Sequence, residues 1–202
     1  PGYDDSAWEK AEVLADYTPR LASQAMAPAR ASHELEPERI YETEPGVFIC
    51  DFGQNFSGWV RLRAEGPAGT TVRVRFSELL HPDGTLNPGV NRSAECTDTF
   101  ILRGSGCELF EPHFTYHGFR FAEISGYPGV PTPEDITGIF VHTDLPQVGN
   151  IYCANEDIND IHRIIWWGQL SNYMSIPTDC PQRDERMGWM GDAQLTVEEA
   201  LY

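Results

Sequence analysis

The sequence is short of positive charge: 14 Lys and Arg stand against 31 Asp and Glu, for a formal net charge of −17. That deficit argues against a nucleic-acid binder, whose affinity comes mainly from neutralising phosphates, and against docking on an anionic membrane surface. Long apolar runs are also missing. None approaches the roughly 18–20 residues needed to span a bilayer, so no transmembrane helix is expected. The cysteines (Cys50, Cys96, Cys107, Cys153 and Cys180) include no CxxC pair. Their odd number leaves at least one thiol free and leans toward a reducing compartment, the cytoplasm. There is no G-x-x-x-x-G-K-[ST] and no strand-linked G-x-G-x-x-G, so Gly53 and Gly58 are expected to flank a turn, and no cofactor is expected. The opening Pro1-Gly2-Tyr3 has no initiator Met, no basic stretch and no apolar stretch. Processing or truncation is expected at that end, and no address is legible there.

What is present suits a folded chain. The 202 residues allow one large domain or two small ones, at roughly 100–200 residues each. A chain of this size buries about 70% of its unfolded surface. A hydrophobic share of 41% and an aromatic share of 11% fit a globular protein.

Three stretches differ in pattern. Residues 1–34, with Tyr3 to Trp8 followed by Ala- and Pro-rich sequence, read as the tail of an upstream β-domain and a linker. Over residues 35–146 the apolar period becomes two. Trp59–Ala64 and Thr70–Phe76 alternate with arginines on the wet face, and Val47–Phe52, Asp98–Leu102, Glu108–Phe114, Phe119–Ile124 and Ile136–His142 are further strands. Turn residues at Pro67-Ala68-Gly69, Pro82-Asp83-Gly84, Gly104-Ser105-Gly106 and Tyr127-Pro128-Gly129 separate them. Short strands with no helix between them predict an antiparallel, jelly-roll-like β-sandwich. From residue 147 the pattern turns helical. Asn155 caps a helix with Glu156 and Asp157 in its first turn. Ile158, Ile161 and Ile165 share a face, and Pro177 ends the helix near Ser175. Asp192 is expected to cap a second helix running to Tyr202.

Chemistry concentrates between these helices. Asp179-Cys180-Pro181-Gln182-Arg183-Asp184-Glu185-Arg186-Met187-Gly188-Trp189-Met190-Gly191-Asp192 packs four carboxylates, two arginines and a tryptophan into one loop. Loops held by rigid elements are where catalytic groups gather. Crowded carboxylates push one member's pKa up, so that it keeps a proton near neutrality. Arginines can fix neighbouring carboxylates or substrate hydroxyls, and an indole face suits a sugar ring. The same composition also fits a solvated connection with local ion pairs.

The string Asp179-Cys180-Pro181-Gln182-Arg183-Asp184-Glu185-Arg186, with Gly188-Trp189 and Gly191-Asp192, resembles the signature loop of bacterial α-L-rhamnosidases of the inverting (α/α)6-barrel type. Two further motifs agree in order and spacing: Asp51-Phe52-Gly53-Gln54-Asn55-Phe56-Ser57-Gly58, and His117-Gly118-Phe119-Arg120-Phe121. They are similar to that family's concanavalin-like β-domain, which precedes the barrel. The resemblance covers roughly residues 36–202, and the Trp8 region is similar to the end of an upstream β-domain. It implies a β-sandwich followed by the first helices of an (α/α)6 barrel, the latter truncated over residues 147–202. It also implies removal of terminal α-L-rhamnose, with a rhamnoside as the partner.

By the same resemblance the general acid falls on Glu185. Asp184 competes, since some members carry one residue fewer between Arg183 and Gly188. Asp179, Arg183, Trp189 and Asp192 match positions that contact bound rhamnose, and the general base is expected beyond Tyr202. A fragment of this kind is expected to be inactive alone and to leave the Ile161 and Ile165 face exposed, or buried against a second copy. The alternative is a non-catalytic carbohydrate-binding or interdomain sandwich. Other candidates have plainer readings. His113 and His117 lack a third ligand for a metal, so no metal is expected. His162 reads as a packed or capping residue, Cys180 as structural, and Trp166-Trp167 as core.

Overall fold

The computed structural model describes residues 4–198 and 200. In chain order its elements are β1 (Ala29–Leu35), β2 (Arg39–Glu44), β3 (Val47–Glu65), β4 (Thr71–Ser77), β5 (Leu79–Leu80), β6 (Leu86–Asn87) and β7 (Thr97–Ile101). They continue with β8 (Cys107–Phe110), β9 (His117–Ser125), β10 (Ile136–Thr143), α1 (Glu156–Ser171), β11 (Tyr173–Met174), β12 (Ile176–Pro177) and α2 (Met190–Thr196). Eight strands form one sheet in the order β1-β10-β3-β9-β4-β7, with β2 and β8 also paired to β3. Its pairings are all antiparallel. The β-sandwich expected from the alternation therefore takes the form of a single curled sheet.

The curl comes from β3. Its Val47–Asp51 end lies between β2 and β9, its Gly58–Leu62 part pairs with β10, and Leu62–Glu65 pairs with β8. The segments Val47–Phe52 and Trp59–Ala64 are thus one strand. The expected turn at Gly53–Gly58 is instead a bulge, where the register against β9 shifts between Asp51 and Phe56. A turn would have released the partners. Here β9 resumes pairing at Phe56, so the strand bends and continues. Gly58 is required there, because a Cβ on it would meet Ile139 O of β10 at 1.8 Å.

The buried side of the bend carries the core. Phe56, Phe76, Phe119 and Phe140 are each at most 1% exposed, with Phe119 ring centroids 4.4 Å from Phe56 and 4.6 Å from Phe76. Full burial of such a side chain is worth roughly 1.5–3 kcal/mol. The sheet also begins earlier than expected. β1 starts at Ala29, inside the segment read as linker, because an edge strand is held by backbone pairing to β10 and needs no apolar alternation. Tyr3 lies outside the described residues.

Helix α1 starts as expected: the Asn155 side chain accepts from the Asp157 N–H. It ends at Ser171, four residues before Ser175, because the end of β10 captures the chain. Thr143 Oγ1 donates to Tyr173 O and accepts from the Ser175 N–H, and β11 turns back onto β12 through Ser175 at φ 67°. One face of α1 presses Trp166, Trp167 and Leu170 onto the sheet core, with Trp167 4.7 Å from Phe140. The other face leaves Ile158, Ile161, Ile164 and Ile165 exposed. In α2 the N-cap is Trp189, and Asp192 sits in the first turn. There it still suits the helix dipole, but it does not cap. Leu201 and Tyr202 lie outside the described residues. No helix among the described residues is long and apolar enough to cross a membrane.

Candidate active site

The loop 178–189 runs from β12 to α2 and is closed at its base by two bonds. The Asp179 N–H donates to Met187 O at 3.0 Å, and the Met187 N–H donates to Asp179 Oδ1 at 2.7 Å. Its middle lies on the sheet. Cys180 and Pro181 are buried, and Cys96 Sγ donates to Gln182 O. Arg186, at φ 51°, places its guanidinium 4.4 Å over the Tyr116 ring. Gly118 of β9 is the seat: a Cβ there would lie 2.6 Å from Pro181 Cγ and 2.8 Å from Gln182 N. Gly118→Ala is therefore expected to cost about 1–3 kcal/mol of overpacking. It should also speed amide exchange at Asp179 and Met187. Unchanged exchange at those two amides would mean that this contact does not seat the loop.

Charges on the loop are interlocked. Arg183 bridges two carboxylates, with Nη2 3.1 Å from Asp179 Oδ2 and Nε 3.0 Å from Glu185 Oε2. Glu185 Oε2 also accepts from Arg92 Nη1 at 3.0 Å, while Oε1 accepts from the Trp189 indole Nε1 at 3.0 Å. Burial works to raise the Asp179 carboxyl, but the Cys180 thiol, the Met187 amide and Arg183 together hold it below the usual carboxylate range. Asp184 is exposed and lies outside this lock. It accepts from the Ser93 hydroxyl, and that bond, with the Arg92 charge, holds its carboxyl below the usual range too. Burial pushes the Cys180 thiol up, which makes it a donor to Asp179 rather than a nucleophile. Donor atoms of Asp179, Cys180 and Glu185 lie within 4.8 Å of one another. Arg183 already supplies the positive charge between the two carboxylates, so this set suits a guanidinium and not a metal ion.

The structure brings Asp179, Trp189 and Asp192 to one cleft of about 310 Å³ between α1 and α2, with Gln169 and Thr178 on its walls. Glu185 and Arg183 do not line the cleft, but both are bonded to residues that do. A roomier groove, about 460 Å³, follows the exposed isoleucines of α1. It is chiefly apolar, adjoins that cleft at Ile165 and Gln169, and holds none of Asp179, Arg183 and Glu185.

The other candidates fall elsewhere. His117 is buried, bonded to Asp98 and stacked 4.2 Å from Phe76, whereas His113 stacks with Trp59. His162 is half-buried on the wall of the α1 groove. Sequence reasoning missed Arg92, Ser93 and Glu78. Glu78 accepts from Asn55 Nδ2 at 2.8 Å, and burial raises its carboxyl against the opposing effects of Asn55 and Arg183. Asn55 lies inside the Asp51–Gly58 motif, but Arg92 lies 93 residues from Glu185 and carries no local sign of it.

Comparison with known proteins adds a family context. Residues 41–142 match the family model for the bacterial alpha-L-rhamnosidase concanavalin-like domain, and residues 146–202 match that for the bacterial alpha-L-rhamnosidase 6 hairpin glycosidase domain. An alpha-L-rhamnosidase of Streptomyces avermitilis is 44% identical over 203 residues, covering 100% of this chain and 20% of the relative. One from an Alteromonas species is 37% identical, covering 100% and 22%. Among solved structures, the alpha-L-rhamnosidase from Dictyoglumus thermophilum superposes with a TM-score of 0.92 at 52% identity, covering 100% of this chain and 23% of that one. The Streptomyces avermitilis enzyme complexed with L-rhamnose gives a TM-score of 0.89 at 44% identity, covering 98% and 19%. The chain spans about a fifth of the length of these relatives.

Proposed function

The chain belongs to the bacterial alpha-L-rhamnosidase family, and from that premise we propose that it serves an inverting glycoside hydrolase releasing terminal α-L-rhamnose from rhamnosides. In this reading the residues before β1 join an upstream β-domain, the sheet from β1 to β10 is the β-domain and 147–202 begin the catalytic barrel. The observation that carries it is the bonded set Asp179, Arg183, Glu185 and Trp189 beside the cleft that Asp192 also lines.

Inverting cleavage needs one carboxyl group to protonate the leaving oxygen and a second to activate water on the opposite face. Glu185 is the acid. Its Oε2 is taken up by two guanidinium donors, which leaves Oε1 as the oxygen with room for a proton, next to Trp189. Asp184 is the poorer candidate by position, since it faces Ser93 and has no bond to the residues that line the cleft. Asp179 and Asp192 are placed to accept from sugar hydroxyls, and the Trp189 ring offers an apolar wall to the C6 methyl. The base must stand about 6.5–9.5 Å from the acid, across the ring. Asp179, Asp184 and Asp192 approach from the acid's own loop, so the base comes from barrel helices that the relatives' greater length provides. Those helices also cover the exposed isoleucines of α1. In the chain alone that face stays exposed or packs against a second copy.

The test is the stereochemistry of a full-length protein carrying these residues. Proton NMR during hydrolysis of an α-L-rhamnoside should show β-L-rhamnose first. An initial α product would sink the inverting mechanism. Binding of rhamnose without turnover would favour the non-catalytic carbohydrate-binding reading.

A further inference from the structure

The β-domain reaches the acid through one side chain. Asn91, 2% exposed, anchors the end of the short turn Pro88–Asn91 by donating from Nδ2 to Phe76 O of β4 at 2.8 Å. Arg92 follows at φ 54° and ψ −119°, a costly left-handed-side conformation for a residue with a Cβ. What it obtains is a 3.0 Å contact from Nη1 to Glu185 Oε2, with the two side chains 57% and 26% exposed. An ion pair that open to water contributes little stability. The turn is held by Asn91, whose backbone O also accepts from the Ala94 N–H, so the Arg92 side chain adds little to folding, and its contact to Glu185 points to a role in the site.

We propose that Arg92 is a positioning residue for the general acid, fixing from the β-domain which oxygen of Glu185 is turned to Trp189 on the cleft wall. This rests on the reading of Glu185 as the acid. Arg183 also holds Oε2, but it sits two residues away on the same loop and moves with it. Arg92 is set in the sheet's frame. With both guanidiniums on Oε2, the carboxyl plane is pinned and Oε1 is turned to the Trp189 indole, whose ring lines the cleft. Ser93 on Asp184 and Cys96 on Gln182 O tie the same loop to the same stretch of β-domain. Without Arg92 the loop keeps its seat, but the acid loses its aim.

The experiment compares leaving groups in the full-length enzyme. Acid assistance matters for a poor leaving group, such as a sugar hydroxyl, and hardly for a dinitrophenolate. Arg92→Met should lower kcat by about 10²-fold on the disaccharide, with KM little changed, and leave the dinitrophenyl rhamnoside within about twofold. The ratio of the two rates does not depend on how much of the preparation is folded. Arg92→Gly, which relieves the left-handed backbone, should melt no lower than wild type yet show the same skewed ratio. Arg92→Lys should restore part of it. Equal losses on both substrates, or none, would overturn the proposal. If Glu185→Gln itself showed no dependence on leaving group, the acid assignment would have failed first, and the two failures are thereby told apart.

Discussion

Glu185→Gln in the full-length enzyme is expected to lower turnover of an unactivated rhamnoside by about 10²–10⁴-fold, the usual worth of general acid catalysis. The substitution is nearly isosteric. An amide oxygen can still accept from Arg92 and Arg183 while the amide nitrogen gives up the Trp189 bond, and the loop is seated by Asp179, Met187, Cys96 and Gly118, none of which changes. The melting temperature and KM should therefore hold while kcat collapses, which is the mark of a group acting only in the transition state. Asp184→Asn is the control. It removes an exposed carboxylate that faces Ser93 and is not bonded to the cleft residues, so the disaccharide rate should fall far less. The reverse ordering would move the acid to Asp184. A nitrophenyl substrate would blur the contrast, because its leaving group hardly needs a proton.

How much of this could be read from the residues alone depends on the range of each interaction. Alternation in Thr70–Phe76 and Ile136–His142 located β4 and β10 nearly to their ends, and the Asn155 cap located α1. Those signals are local. The continuity of β3 was not legible, because Gly53 and Gly58 look alike in a turn and in a bulge. Only β9, resuming at Phe56, decides between them. β1 was missed because its side chains are mostly exposed and its strand state resides in backbone bonds to β10. At the site, the loop residues were visible as one dense string, and so were Asp179, Arg183, Glu185, Trp189 and Asp192 as candidates. Arg92, Ser93 and Glu78 were not, since the fold alone brings them to the loop from across the β-domain.

The 202-residue chain by itself is expected to turn over an aryl α-L-rhamnoside at least about 10³-fold more slowly than the full-length enzyme at equal molarity, since acid and base each carry about 10²–10⁴-fold. Glu185, the proposed acid, is bonded in place. What the described residues do not offer is a carboxylate across a pyranose from Glu185. Asp179 is locked to Arg183 and the Met187 amide, Asp184 faces Ser93, and Asp192 lies on the first turn of α2, on the wall that Asp179 and Trp189 also line. A base on the acid's side of the ring cannot deliver water to the opposite face. Binding weakens as well. Trp189 is 49% exposed and the Ile158, Ile161 and Ile164 face of α1 lies open, so the cleft lacks the opposing wall that would order a sugar before reaction. Turnover by the chain within about tenfold of the full-length enzyme would place the base inside these residues after all. Asp192→Asn and Glu198→Gln would then be the variants to assay, since both side chains border the grooves beside α1.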